Sequence, residues 1–165
     1  MSLRDNLKMF CEKYHGQVHV LFGLVVFFCV ISLFSGVNPW LLFFVMIVGS
    51  FLPDIDHLFF MYWYGRSTEY SIKARKYLDK GEFGGFINYC KKNHKNNTYI
   101  ISHNLLTPLA FFIFGVFAYV NGSAVGSLFW WSMSMHFVFD VLEDILFFGK
   151  LNGNWIFLYG KRAVD

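Results

Sequence analysis

Residues 124–148 read AVGSLFWWSMSMHFVFDVLEDILFF. As a helix rising about 1.5 Å per residue, this stretch is long enough to cross the roughly 30 Å hydrocarbon core of a bilayer. No Lys or Arg interrupts it, yet its second half carries His136, Asp140, Glu143 and Asp144. His136 and Asp140 are four residues apart and therefore share a helix face. Asp144 continues that row and Glu143 is offset from it. A charged carboxylate at mid-bilayer costs about 2.5–3.5 kcal/mol even on the lenient insertion scale. The segment therefore reads as a membrane span that turns its polar face inward, toward other spans.

Three more apolar stretches supply those partners. Val18 to Ser35 is nearly free of charge. Pro39 to Tyr64 is apolar except where Pro53-Asp54-Ile55-Asp56-His57 interrupts it. Tyr99 to Val120 is the third. The expectation is an all-α protein, a polytopic bundle of four transmembrane helices forming a single membrane-embedded domain. The spans fall at about 18–35, 38–64 (broken near 53–57), 99–120 and 124–148. The first stretch is too long for a typical signal-peptide core, and no clean small-x-small site follows it, so it reads as a retained span.

Composition agrees. Of 165 residues, 56% are hydrophobic and only 15% charged, and Phe occurs 22 times. Soluble domains average about 25% charged residues, and a soluble fold of this length could not bury so much Phe. An ordinary cytosolic enzyme, a disordered chain and a collagen-like chain are all excluded. Cys11, Cys29 and Cys90 are far apart and odd in number, so they read as isolated thiols rather than a disulfide framework or zinc ribbon.

The net charge of +3 matters less than its placement. All 14 Lys and Arg fall before the first stretch, between the second and third, or after the fourth. The two short turns, Gly36-Val37-Asn38 and Asn121-Gly122-Ser123, carry none. Positive charge collects on the cytoplasmic side, which predicts an integral membrane protein with both termini and the basic 65–98 loop in the cytoplasm. Within that loop Ser67 to Leu78 reads as a surface helix, Gly81-Glu82-Phe83-Gly84-Gly85 as its end, and Phe86 to Cys90 as a return to the membrane surface. Its basic residues suit anionic lipid, not nucleic acid. Asn96-Asn97-Thr98 and Asn121-Gly122-Ser123 match the glycosylation pattern but fall on opposite sides of the predicted membrane, so both read as chance matches. Asn154 to Tyr159 reads as an aromatic interfacial anchor. His15 and His94, outside the spans, read as surface residues.

The polar residues inside the stretches converge in depth. His19 opens the first span at its cytoplasmic end. Asp54 to His57 lie roughly 24–29 Å along the second, His103 one turn into the third, and His136 and Asp140 roughly 18 and 24 Å along the fourth. Each span thus places imidazole or carboxylate in the cytoplasmic half, with no cationic side chain among them to balance the acids. A bound divalent metal supplies that charge, and imidazole with carboxylate is a common transition-metal donor set. Bland readings exist for each part: a hydrogen-bonded structural His19, an interhelical polar pair for His136 and Asp140, and a helix cap for Asp54 to His57.

These elements resemble, in order, those of the YdjM-like inner-membrane proteins, a family described as membrane-bound metal-dependent hydrolases. The family shows an early His with a nearby Gly (here His19 and Gly23). A Leu-Pro-Asp-x-Asp-His signature follows (Leu52-Pro53-Asp54-Ile55-Asp56-His57), then a Thr-His-Ser-like element (Ser102-His103-Asn104), then Ser-His-x-x-x-Asp (His136 to Asp140). The likeness spans residue 19 to about 160. It departs where the family often has a longer His-Arg-Gly-x-Thr-His-Ser run, since Thr98 and Tyr99 stand at the His and Arg positions. Ser134 also precedes His136 by two residues instead of one.

The resemblance implies a hydrolase in which one or two ions, Zn²⁺ or Mn²⁺, sit among His19, Asp54, Asp56, His57, His103, His136 and Asp140. Asp56 and Asp144 are the candidate general bases. A site near the cytoplasmic headgroups suits a membrane lipid or phosphoester substrate, with Lys91, Lys92 and Lys95 attracting its phosphate. The rival expectations are a non-catalytic protein with a structural or regulatory metal, a small ion carrier, and a metal-free proton relay through Asp and His.

Overall fold

The computed structural model describes residues 2–93, 100–149, 151 and 155–156. Every regular element among them is helical: α1 (Leu3–Leu33), α2 (Pro39–Phe51), α3 (Ile55–Phe59), α4 (Glu69–Asp79), α5 (Phe83–Asn93), α6 (Leu106–Val120) and α7 (Ala124–Phe148).

The first helix begins well before Val18, where the predicted span starts. Ser2 and Asp5 form a reciprocal capping box that satisfies the first free backbone N–H groups. Arg4 Nε then donates to the Leu146 carbonyl at 2.8 Å, tying the start of α1 to the carbonyl-rich end of α7. Tyr14 leaves helical geometry inside α1, so the helix bends one residue before His15. Asn38 caps α2 by accepting from Trp40 and Leu41, with Pro39 in the first turn, where its missing N–H costs nothing. The interruption at Pro53 is a 3-10 turn over Leu52–Asp54; α3 and a π-helical turn over Phe60–Tyr64 carry the chain onward.

The third apolar stretch differs from its expected bounds. Helix α6 starts at Leu106, and Ile100 to Leu105 is not helical. The Asn104 side chain accepts from the Leu106 and Thr107 N–H groups, and Pro108 fits only in the first turn. Both fix the helix start there. As a result two helical segments among the described residues, Lys13–Leu33 and Pro39–Tyr64, are long and apolar enough to cross a membrane. Helix α6 is a shorter apolar helix, and α7 is diluted by its serines, His136 and its acids.

In the basic loop the surface helix starts at Glu69, because the Thr68 hydroxyl caps it. Gly81, at φ +70°, makes the break. Gly84 and Gly85 lie inside α5, contrary to the expected run of breakers, and Gly85 permits close approach of the Tyr77 ring.

Helix α7 is the hub, packing against α1, α2 and α6, while α1 also packs on α2. Toward the short turns the core is apolar: Val26, Phe27, Val30, Leu42, Met46, Ala124 and Leu128. Toward the other end it is polar, with His19, His136, Asp140, Glu143 and Asp144 all buried. The outer faces reverse this pattern: Phe28, Phe44 and Phe117 are each at least 65% exposed. Soluble monomers rarely leave so much large apolar surface uncovered. Close helix approach depends on small residues, as membrane helix contacts do. A Cβ on Gly23 would meet Ser50 Oγ, and one on Gly49 would lie 2.9 Å from the Phe129 carbonyl oxygen.

Candidate functional site

The polar end of the bundle is organised around the Asp140 carboxylate, which α7 holds with only 8% of its side chain exposed. Oδ1 lies 3.5 Å from His19 Nε2 of α1. Oδ2 lies 3.3 Å from His136 Nε2, one turn earlier on α7, and 3.5 Å from His103 Nε2 in the turn before α6. The 3-10 turn brings Asp54 Oδ1 to 3.6 Å from His136 Nε2. The His19 and His136 rings stack at 3.8 Å, only 13° from parallel.

Second partners set the ring orientations. His136 Nδ1 is 2.7 Å from the Ser50 carbonyl oxygen. A carbonyl can only accept, so Nδ1 carries the hydrogen, and in the neutral ring Nε2 presents a lone pair to the carboxylates. That Nε2 is fully buried and has no hydrogen-bond partner among the described residues. His103 Nδ1 pairs with Ser102 Oγ at 3.1 Å. Such Nδ1 partners are the usual outer layer of a metal-binding histidine.

His15 is not the surface residue that its place outside the apolar stretches suggests. Because α1 starts so early, His15 lies one turn before His19 on the same face. Its Nε2 is 3.2 Å from His19 Nε2, and its Nδ1 is 3.2 Å from Glu143 Oε1. His15, His19 and Asp140 each offer a donor atom within 4.8 Å of the others. The sequence carries a signal for it: His15 and His19 repeat the four-residue spacing of His136 and Asp140.

Other expected site residues stand one layer out. His57 meets His103 edge-on, with ring centroids 5.0 Å apart. Asp56 accepts from the Tyr64 hydroxyl at 2.8 Å and from Ser102 N–H at 2.9 Å. It therefore holds the His103 turn in place. Asp144 Oδ2 accepts from Trp155 Nε1 at 2.7 Å.

Trp155 was expected in an interfacial anchor; instead it is only 2% exposed. Its carbonyl accepts from Leu105 N–H at 2.9 Å, and its ring lies 5.5 Å from that of His103. Within that predicted anchor only Trp155 and Ile156 are among the described residues. Lys92 is exposed at the end of α5, while Lys95, His94, Thr98 and Tyr99 lie outside the described residues, as does the Lys91 side chain.

The donor set fits a transition metal. Donor atoms about 2.0–2.1 Å from a tetrahedral zinc ion stand about 3.3–3.4 Å apart. The histidine–carboxylate contacts of Asp140 and Asp54 run from 3.3 to 3.6 Å. At 3.5–3.6 Å a contact is too long for a normal hydrogen bond, yet it is close to that spacing.

A family model described as YdjM inner membrane protein matches residues 15–146, which include every residue of this cluster. No curated protein matches the chain. No solved structure matches it either.

Proposed function

The chain belongs to the YdjM inner membrane protein family, and from that premise we propose that it is a metal-dependent hydrolase acting on a lipid or phosphoester at the cytoplasmic face of the membrane. The observation that carries this reading is the buried Nε2 of His136, its other nitrogen committed to the Ser50 carbonyl, facing two carboxylates across 3.3 and 3.6 Å. A lone pair against anionic oxygen is repulsive, and either a second proton on the ring or a metal cation between the groups relieves it; the five donors gathered at this one point favour the metal. His19, Asp54, His103, His136 and Asp140 would hold a divalent ion, Zn²⁺ or Mn²⁺. Such an ion supplies Lewis acidity toward an ester or phosphoester oxygen and makes water a stronger acid.

The chain's own residues divide the remaining work. Asp140 gathers His19 at one oxygen and His103 and His136 at the other. Asp56, bonded to Tyr64 and Ser102, positions His103. Asp54, with 43% of its side chain accessible, marks the side of the cluster open to water. Lys91, Lys92 and Lys95 would draw an anionic headgroup toward it.

The same reading makes the chain a single membrane-embedded domain of four spans with both termini cytoplasmic. Helices α6 and α7 complete the bundle begun by the two long apolar segments, α6 with help from the turn at Ile100 to Leu105. The exposed Phe faces support it. So does the concentration of Arg and Lys at the end opposite the short turns.

A second reading, a structural or regulatory metal site or a small ion carrier, has an observation of its own. Asp56 and Asp144, the two sequence candidates for general base, already accept hydrogen bonds from Tyr64 and Trp155. The deciding experiment uses full-length protein in lipid nanodiscs, stripped with chelator and reloaded with Zn²⁺ or Mn²⁺. Metal-dependent release of product from phospholipid or acyl-lipid substrates supports the hydrolase. Stoichiometric metal with no turnover of any of them supports the second reading, and absence of bound metal overturns both.

A further inference from the structure

We propose that Asp140 bridges two cations, and that the second is held by His15 and His19 of α1 with Glu143 positioning His15. This inference rests on the metal reading above, assigns His19 to the second of two ions instead of the first, and adds His15 and Glu143, which the ligand set above does not contain.

The two Asp140 oxygens face different partners. Oδ2 serves His136 and His103, while Oδ1 serves His19. On the Oδ1 side, His19 Nε2 stands 3.2 Å from His15 Nε2 and 3.5 Å from the carboxylate. These separations again approximate a coordination edge of about 3.3–3.4 Å. Glu143 stands to His15 as the Ser50 carbonyl stands to His136. It is a buried oxygen 3.2 Å from Nδ1 that turns Nε2 inward. A carboxylate in that place also raises the basicity of the ring as a ligand.

The stacked rings give the spacing. His19 and His136 are nearly parallel, 3.8 Å apart, and present their Nε2 atoms to separate oxygens of one carboxylate. Paired ions in two-metal hydrolytic sites lie about 3.5–4 Å apart. Two imidazoles at this separation, sharing a bridging carboxylate, suit such a pair.

The test loads chelator-stripped, full-length protein in nanodiscs with MnCl₂ and reads metal per chain and the electron paramagnetic resonance spectrum. The expected result is two Mn²⁺ per chain with an exchange-coupled spectrum, as a shared carboxylate requires. His15→Gln should leave one ion with the six-line signal of isolated Mn²⁺, and Glu143→Gln should weaken the second ion about 10–100-fold while sparing the first. Should His15→Gln not yield folded protein, the Glu143→Gln titration and the wild-type spectrum decide alone. A single ion in the wild type overturns the second site but leaves the metal reading standing. Two uncoupled ions, or two coupled ions persisting in His15→Gln, overturn the Asp140 bridge to His15 and His19. No bound ion overturns this inference together with the reading beneath it.

Discussion

The indole N–H of Trp155 donates to Asp144 Oδ2 at 2.7 Å, with both side chains buried. The bond joins the chain after α7 back to α7 itself, and the Trp155 carbonyl holds Leu105 at the start of α6. Trp155→Phe keeps an aromatic ring but removes the indole N–H from a buried carboxylate, together with some buried ring volume. Hydrogen bonds to charged groups contribute about 1.5–3 kcal/mol, so the variant should lose stability of that order. Thermal or denaturant unfolding in detergent measures it. A loss below about 0.5 kcal/mol would mean that Asp144 does not depend on this donor.

The glycines of the helix contacts separate packing from propensity. A Cβ on Gly49 would lie 2.9 Å from both the Phe129 backbone oxygen and Ser132 Cβ, so α2 and α7 must part. Gly49→Ala should therefore cost about 1–3 kcal/mol, as overpacking does, and should loosen the Ser50–His136 bond beside it. Gly84 in α5 has open space around its Cβ position. Gly84→Ala should be neutral or stabilise by up to about 1 kcal/mol from helix propensity. Unfolding of the two variants side by side checks the contrast.

What the sequence made legible follows from periodicity and depth. His136 and Asp140 declared their shared face through four-residue spacing, and counting residues along the stretches placed His19, Asp54 and His103 at the same level. The same counting failed for His15. The span was started at the first apolar residue, whereas a capping box and the Arg4–Leu146 bond extend α1 to Leu3. Trp155 was misread for a different reason: a short aromatic run looks alike whether it lies in the headgroups or folds back onto a buried acid. The partners of Asp56 were not legible in its Leu-Pro-Asp-x-Asp-His motif: its carboxylate accepts from the Tyr64 hydroxyl and the Ser102 N–H. Its hydrogen bond to Ser102 joins residues 46 positions apart, and local pattern does not encode such a pairing.

Asp140 is the group on which the site converges, so its removal should act differently from removal of any histidine. Asp140→Asn preserves shape but withdraws the charge that balances a cation. It should abolish stoichiometric metal binding, whereas His103→Ala, losing one peripheral imidazole, should only weaken it. Metal content after dialysis against a weak chelator, read for both variants, separates the two outcomes. Retention of full metal by Asp140→Asn would remove Asp140 from the centre of the site.

The charge distribution predicts which ends of the bundle face the cytoplasm, and single cysteines report it. The native thiols are poor reporters: Cys11 is buried, Cys29 lies within the α1 span, and burial pushes the Cys90 thiol up. In a background with all three replaced by Ala, Ser35→Cys marks the turn between α1 and α2, and Glu82→Cys the connection between α4 and α5; both positions are exposed. In intact cells whose outer barrier has been made permeable, a membrane-impermeant maleimide should label Ser35→Cys and leave Glu82→Cys unmodified. In inverted membrane vesicles the two should exchange behaviour. Labelling of both positions from the same side would require an odd number of crossings between residues 35 and 82 to be abandoned, and with it the placement of the Asp140 cluster near the cytoplasmic headgroups.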